Sequence, residues 1–218
     1  MSIHHHPDDE LLMSYAAGNL PEAWSLLVAT HAALCPQCRS GVGAAECVGG
    51  ALLDSEAQAP VSNSALAATL ERIDVLSDRA PAPGAVVETG NPVFPQPLRG
   101  YAGGDIDTLR WRPLGRNARH IPLVKGPDGI SARLLKISAG KPVPVHGHNG
   151  LELTMVLSGS FVDGDQRFAR GDVETADETL EHRPEAEPGA DCICLAVTDA
   201  PLRFRGVVAR LVQPLVGI

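Results

Sequence analysis

Residues of the metal-ligand type form two clusters in this chain, one in each half. The front cluster combines an imidazole with two thiols, in the pattern His31-x3-Cys35-x2-Cys38. The back cluster combines imidazoles with a carboxylate, in the pattern His146-x-His148-x3-Glu152, followed later by His182. Thiolates with imidazoles typically form a closed structural zinc site, whereas imidazoles with a carboxylate can hold zinc, iron or manganese. The sequence therefore predicts a front module held together by zinc and a second module built around another metal ion.

The front cluster needs a fourth donor, because structural zinc takes four ligands. His31 and Cys35 lie four residues apart and would share one face of a helix, and Cys38 follows after a proline turn. The fourth donor can be Cys47 or a histidine of the run at 4–6. A histidine is favoured, since it would tie the N-terminus onto the helices. A reduced or redox-active Cys-x2-Cys pair is the alternative, but that motif normally accompanies a βαβ unit, and none is evident.

The back cluster fits the first cupin motif, Gly-x5-His-x-His-x3-Glu-x6-Gly, at every position from Gly140 to Gly159. Side chains alternate along a strand, so His146 and His148 point to the same side. Glu152 follows a turn and can face the same metal, and His182 supplies a fourth ligand from a later strand. The second cupin motif is only loosely matched around His182. Solvated histidines on an edge strand are the non-functional alternative.

Three further residues of reactive type stand apart from these patterns. His120 has no partner pattern and is expected to be structural or on the surface. Cys192 and Cys194 alternate on a strand and share one face. They are either thiols that report oxidation or small apolar residues of a barrel wall.

The front part of the chain has the periodicity of helices. Asp8 or Asp9 can cap a first helix that stops at Gly18, and a second follows through 24–34. Further helical stretches are expected at 39–53 and 64–76. In the last of these, four apolar side chains recur at helical spacing, namely Leu66, Leu70, Ile73 and Leu76. With no obvious partner inside the domain, this face is a candidate for binding another protein; packing on its own bundle is the alternative.

The rest of the chain has a different composition. Residues 79–97 are rich in proline and are predicted to be a semi-rigid linker. Short β-type runs with turn signals follow, at 132–137, 151–157, 159–162, 193–197 and 202–208. We therefore predict two domains: a small all-α zinc-binding helical bundle over 1–78, and an all-β cupin domain with a jelly-roll-like barrel over 98–218.

Net charge and cysteine content exclude several classes of function and location. The formal net charge of -8 argues against direct nucleic-acid binding, which needs a basic face. Five cysteines, an odd number with one Cys-x2-Cys pair, do not look like a secreted disulfide framework. Neither a signal peptide nor an apolar run of membrane-spanning length is visible. We expect a cytoplasmic protein that binds neither membrane nor DNA.

The first half resembles the ChrR-type zinc-binding anti-sigma factors, which carry a C-terminal cupin domain. The resemblance is carried by Ile3-His-His-His6, Leu-x2-Tyr15-Ala-Ala-Gly18 and Ala29-Thr-His31, and it extends over essentially the whole chain. It implies that the zinc ligands are His6, His31, Cys35 and Cys38. It also implies that the helix with Leu66, Leu70 and Ile73 forms part of a clamp on a sigma factor.

The resemblance implies a regulatory function without catalysis. The family holds an extracytoplasmic-function (group IV) sigma factor in a 1:1 heterodimer, away from core RNA polymerase. Release follows oxidative stress such as singlet oxygen, and it requires the cupin domain, whose metal would be zinc. A cupin dioxygenase or isomerase with an accessory domain is the alternative, and it would need a redox-active metal with an open coordination position. A redox-sensing DNA-binding regulator is disfavoured by the acidic charge.

Overall fold

The computed structural model describes residues 2–77, 92–127 and 129–204. Its helices are α1 (Asp9–Ala16), α2 (Glu22–Leu34), α3 (Pro36–Ser55), α4 (Ala65–Ser77) and α5 (Gln96–Ala102). Its longer strands are β2 (Ala118–Lys125), β3 (Ser131–Ile137), β5 (Glu152–Ser158), β6 (Ser160–Asp163), β7 (Gln166–Ala169), β8 (Val173–Ala176) and β11 (Cys192–Thr198). Two-residue strands complete the set: β1 (Arg112–Pro113), β4 (His146–Gly147), β9 (Glu181–His182), β10 (Glu185–Ala186) and β12 (Arg203–Phe204).

Local signals at the start of the chain fix the first three helices. Asp8 is the N-cap of α1, and its carboxylate accepts the backbone N–H of Leu11 at 2.8 Å. Gly18, with a φ of +71°, ends that helix in the left-handed region. Pro36 begins α3, because proline lacks only an N–H that the first turn does not use. The predicted helices are confirmed here, within a few residues at their ends.

The β-strands form one large antiparallel sheet and two small ones. The large sheet has the order β1-β2-β3-β11-β5-β8, and the small sheets have the orders β10-β6-β7 and β12-β4-β9. All the strand neighbours are antiparallel, and most are far apart in sequence. This arrangement confirms the predicted class, a helical front part followed by an all-β cupin domain of jelly-roll type.

The two faces of the large sheet have different neighbours. Cross-strand partners Leu134, Leu195 and Met155 lie on one face and are fully buried. They belong to the same apolar cluster as Trp24 and Leu27 of α2. The opposite face lines a cavity of about 390 Å³ inside the β-structure. Helix α2 therefore covers the outside of the cupin sheet, and the two share a core.

The compact units of the chain differ from the predicted domain order. Among the described residues, those up to Cys47 and those from Val93 onward form one unit, while Val48–Pro92 form another. The boundaries at 1–78, 79–97 and 98–218 stay predictions.

The end of the predicted linker is ordered structure. Phe94 is buried in the core cluster that also contains Leu98 of α5. Helix α5 begins at Gln96 with Pro97 in its first turn, where proline is tolerated. The prolines that suggested a linker thus include a helix start, whereas residues 79–91 lie outside the described part of the chain.

Candidate metal centres

The front cluster gathers four side chains around one point. The donor atoms of His6, His31, Cys35 and Cys38 all lie within 4.8 Å of one another. His6 Nδ1 lies 3.5 Å from Cys35 Sγ and 3.4 Å from Cys38 Sγ. His31 Nε2 lies 3.3 Å from Cys38 Sγ. Two imidazoles and two thiols in this arrangement match the ligand set of a structural tetrahedral zinc site.

Three elements deliver these four side chains. His31 sits in the last turn of α2, Cys35 caps that helix, and Cys38 lies in the first turn of α3. His6 comes from the extended segment before α1. Both thiols are buried in a small apolar cluster, which includes Val28 of α2. The corner between α2 and α3 therefore presents both sulfurs to the N-terminal segment.

The electrostatics of the front group suit a cation. Burial lowers the pKa of His31 to about 4, so its ring is neutral. Its Nδ1–H donates to the carbonyl of Gly171 at 2.9 Å, because a carbonyl only accepts; this leaves the Nε2 lone pair facing Cys38. Burial, helped by the neighbouring Cys35 thiol, raises the pKa of Cys38 to about 12. A bound metal ion would provide the positive charge that two buried thiolates require.

The other candidates for the fourth front ligand lie elsewhere. Cys47 is exposed on α3. His4 Nε2 is 2.9 Å from the hydroxyl of Ser2, and the ring of His5 packs on Phe168 with centroids 4.4 Å apart. The structure thus brings His6, and not its neighbours in the run, to the two cysteines.

The back cluster gathers three imidazoles. His182 Nε2 lies 3.1 Å from His146 Nε2 and 3.1 Å from His148 Nε2. Two nitrogens bound tetrahedrally to zinc at 2.0–2.1 Å would be about 3.3 Å apart, so the spacing fits a metal ion. His146 on β4 pairs directly with His182 on β9, and all three rings are buried.

Hydrogen bonds to residues outside the group orient two of these rings, so that their Nε2 atoms point toward the centre of the group. His146 Nδ1–H donates to the carbonyl of Pro144 at 2.9 Å, and His182 Nδ1–H donates to Asp163 at 2.8 Å. Since each Nδ1 is used outside the group, each Nε2 is left as a lone pair for a cation. Glu174 adds a second carboxylate at 3.7 Å from His182 Nδ1.

Burial and two neighbouring carboxylates set the pKa values of the three back histidines. It lowers the pKa of both His146 and His148 to about 4, which keeps these rings neutral. Burial would also lower the pKa of His182, but the carboxylates of Glu174 and Asp163 overcome it and raise that pKa. Neutral imidazole is the form that binds metal, and the adjacent carboxylates increase the basicity of the His182 ring.

Glu152, predicted as a back ligand, lies outside this group of donors. It begins β5, and its carboxylate accepts the hydroxyl hydrogen of Thr154 at 3.2 Å. Burial raises its pKa to about 7. It lines the same cavity as His146 and His182. The structure therefore supports a three-imidazole group beside a carboxylate, and the predicted four-ligand set is not brought together.

The sequence analysis missed the carboxylates behind His182. Asp163 closes a tight turn between β6 and β7, and Glu174 is buried on β8. Neither lies at a motif spacing from His182, because three different strands bring them together. Both carboxylates stand among other polar residues in the sequence, so no local signal singled them out.

The residues outside the clusters are buried. His120 lies within β2, and burial lowers its pKa, which agrees with the structural alternative rather than the surface one. Cys192 and Cys194 lie on β11 in the cavity wall, with their sulfur atoms 3.6 Å apart. Their strand position is confirmed, and a role in oxidation stays a prediction.

Fold and sites together define a class of protein. It is a cupin-domain protein with an added helical module, in which each part carries its own histidine-rich group. Residues 100–201 match the family model described as the ChrR Cupin-like domain. Helices of the described residues lack the combination of length and apolar character that crossing a membrane requires.

Comparison with individual proteins identifies the family. The chain is 49% identical to the anti-sigma-E factor ChrR of Cereibacter sphaeroides over 218 residues, which is all of both chains. It is also similar to a chain in the crystal structure of Rhodobacter sphaeroides SigE in complex with the anti-sigma ChrR. That match has a TM-score of 0.77 and 45% identity, and it covers 90% of this chain and 99% of that one. This chain belongs to the ChrR family of anti-sigma factors.

Proposed function

We propose that this protein is an anti-sigma factor that binds an extracytoplasmic-function sigma factor as a 1:1 heterodimer. In this complex the sigma factor is held away from core RNA polymerase, and oxidative stress such as singlet oxygen releases it. The full-length relationship to an anti-sigma-E factor, and the similarity to a chain crystallised with SigE, support this function. We place the protein in the cytoplasm, where a sigma factor meets its polymerase.

The observation that carries the proposal is an exposed apolar surface on the described residues from Val48 to Val75. Of the eleven large hydrophobic residues exposed in the described part of the chain, eight lie in this unit. On α4, Leu66 is 70% exposed, Leu70 is 52% exposed and Ile73 is 50% exposed. A contiguous apolar stripe of this kind is typical of a helix that packs into a groove of a partner.

Helix α4 also offers a control on its opposite face. Helical geometry places Leu66, Leu70 and Ile73 within about 60° of one another around the axis. Val75 points to the opposite side and is 49% exposed. Leu70→Glu should therefore disrupt binding, whereas Val75→Glu makes the same chemical change away from the stripe.

Binding of the sigma factor encoded in the same organism tests the proposal. Purified full-length chain should bind it with one-to-one stoichiometry in calorimetry. Leu70→Glu should weaken binding of the sigma factor at least tenfold, because a charge would lose its water in the contact. The affinity of Val75→Glu should stay within about twofold of wild type. Equal losses for both variants would remove the stripe from the interface, and no binding by wild type would refute the function.

We further propose zinc in both groups of donors. The two thiols of the front group favour zinc, because soft ligands select it over iron or manganese. The back group holds imidazoles only, so zinc is the first choice there and iron or manganese are the alternatives. Elemental analysis of chain purified without chelator should find two zinc ions, and iron in the back group would count against this assignment.

We propose that the cupin domain provides the response to stress. His146, His148 and His182 would hold its metal next to a cavity of about 390 Å³. Replacing His146 by Ala should therefore leave sigma binding intact while blunting release by singlet oxygen. An enzyme of the dioxygenase or isomerase class gains no support, because the full-length relative is an anti-sigma factor.

A further inference from the structure

A short segment of the cupin domain, Gly171–Val173, holds the N-terminal histidines in place. One oxygen of the Asp172 carboxylate accepts the backbone N–H of His4 at 2.7 Å and that of His5 at 3.0 Å. The backbone N–H of Val173 donates to the carbonyl of His5 at 3.1 Å. Asp172 is buried, and its second oxygen accepts the N–H of Ala169 at 2.8 Å. The chain is thereby fixed one residue before His6, a member of the front group.

The same segment also orients a second member of the front group. The Gly171 carbonyl accepts the Nδ1–H of His31 at 2.9 Å, so it selects the tautomer whose Nε2 faces the thiols. Gly171 has a φ of +94°, and a Cβ there would lie 2.5 Å from Ile3 Cδ1. The Ile3 side chain thus closes over a position whose backbone conformation favours glycine.

We propose that Asp172 is a positioning residue for the front metal site. It holds the N-terminal segment and the Gly171 carbonyl in register, so that His6 and His31 converge on the two cysteines. Metal retention by the helical part then depends on a turn of the cupin domain. This inference rests on the metal proposed for the front group.

This turn of the cupin domain also lies next to the back group of donors. Val173 is the first residue of β8, whose next residue, Glu174, lies beside His182 of the back group. The two ends of a single four-residue stretch, 171–174, therefore contact a histidine of each group. This stretch contacts His31 through a hydrogen bond at one end and His182 through an ion-pair contact at the other.

Cobalt substitution tests this role at the front site alone. Co²⁺ bound by thiolates gives sulfur-to-metal charge-transfer absorption, and the three-imidazole group has no thiol donor. We expect metal-free full-length chain to show this absorption when Co²⁺ is added. In Asp172→Ala the front-site affinity for Co²⁺, measured against a competing chelator, should fall at least about tenfold, the lower end of the range for residues that orient metal ligands. The ligand-field bands should also shift, because the His31 and His6 rings lose their fixed orientation.

A matched control separates positioning from general destabilisation. The carboxylate of Asp105 likewise accepts backbone N–H groups, those of Val93 at 2.8 Å and Phe94 at 3.3 Å, but it contacts neither group of donors. Asp105→Ala should keep the wild-type spectrum and affinity. If Asp172→Ala fails to fold, Ile3→Ala removes the packing over Gly171 without altering the sheet, and it should weaken Co²⁺ binding in the same direction.

The possible results are distinguishable. Wild-type spectrum and affinity in Asp172→Ala would overturn the positioning role while leaving the front metal site in place. Equal losses of Co²⁺ affinity in Asp172→Ala and Asp105→Ala would also overturn the positioning role, since both variants would then report only a loss of stability. Absence of thiolate absorption in the wild-type chain would instead refute the front metal itself, and the positioning role with it.

Discussion

Shortening Leu27 to alanine should destabilise the helical part and the cupin sheet together. Leu27 is completely buried, and it packs in the cluster that joins α2 to the outer face of the large sheet. Removing a leucine side chain from such a site costs about 3–5 kcal/mol in unfolding free energy, from lost burial and the cavity left behind. For a chain of this size that loss lowers the melting temperature by roughly 6 to 20 °C.

The assay is urea unfolding of the metal-loaded chain, followed by far-ultraviolet circular dichroism and by tryptophan fluorescence. Trp24 lies on α2 and Trp111 lies beside the sheet, so fluorescence reports on both sides of the shared core. Both signals should shift together in Leu27→Ala. Leu53→Ala is the matched control, because Leu53 is 74% exposed and its truncation should change stability by less than about 0.5 kcal/mol. A loss below about 1 kcal/mol for Leu27→Ala would refute the shared core.

Three further predictions concern the two groups of donors. Cys38→Ser should lower the zinc content from two ions to one, measured by elemental analysis, because it removes a front thiol. Glu152→Gln should retain the back metal, since three imidazoles converge without that carboxylate. Stability of the metal-free chain should rise between about pH 4 and 6.5, measured by urea unfolding. Burial lowers the pKa of His31, His146 and His148 to about 4, so the folded chain binds fewer protons than the unfolded one in that window.

Each of these has an outcome that would contradict it. Two zinc ions in Cys38→Ser would place the front metal elsewhere. Loss of the back metal in Glu152→Gln would restore the four-ligand set that the motif spacing suggests. Stability that falls from pH 4 to 6.5 would show that the three histidines are not buried as neutral rings. Glu152, with a pKa of about 7, and Glu174, whose pKa burial also raises, act in the opposite direction because their folded forms hold a proton longer. The three histidines outnumber these two carboxyl groups, so the net change is a rise.

Spacing along the chain predicted the parts of the sites that lie on single elements. His31, Cys35 and Cys38 share one helix corner, so their separation in sequence already placed them together. His146 and His148 followed from the alternation of a strand. Helical starts and stops near Asp8, Gly18 and Pro36 carried enough local signal to give correct elements.

Contacts between distant segments left little trace in the sequence. The apolar face of α2 looked like the inside of a helical bundle, whereas Trp24 and Leu27 pack on the cupin sheet. Periodicity shows that a face is buried but not what covers it. Likewise, nothing near His182 points to Asp163 or Glu174, because sheet topology alone brings them to its ring.

The proline-rich stretch could not be predicted fully from its composition. Proline marks both flexible connections and first turns of helices, and its count alone does not separate the two. The start of α5 at Gln96 is decided by burial of Phe94 and Leu98, which is a property of the whole fold.

Inhibition of transcription tests the central claim most directly. Core RNA polymerase would be given the extracytoplasmic-function sigma factor of the same organism, and the metal-loaded full-length chain would be titrated against it on a promoter that this sigma factor reads. We predict that transcript falls to background as the chain reaches one equivalent of sigma factor, and that a housekeeping sigma factor is unaffected. Undiminished transcription at an excess of the chain would contradict the anti-sigma function.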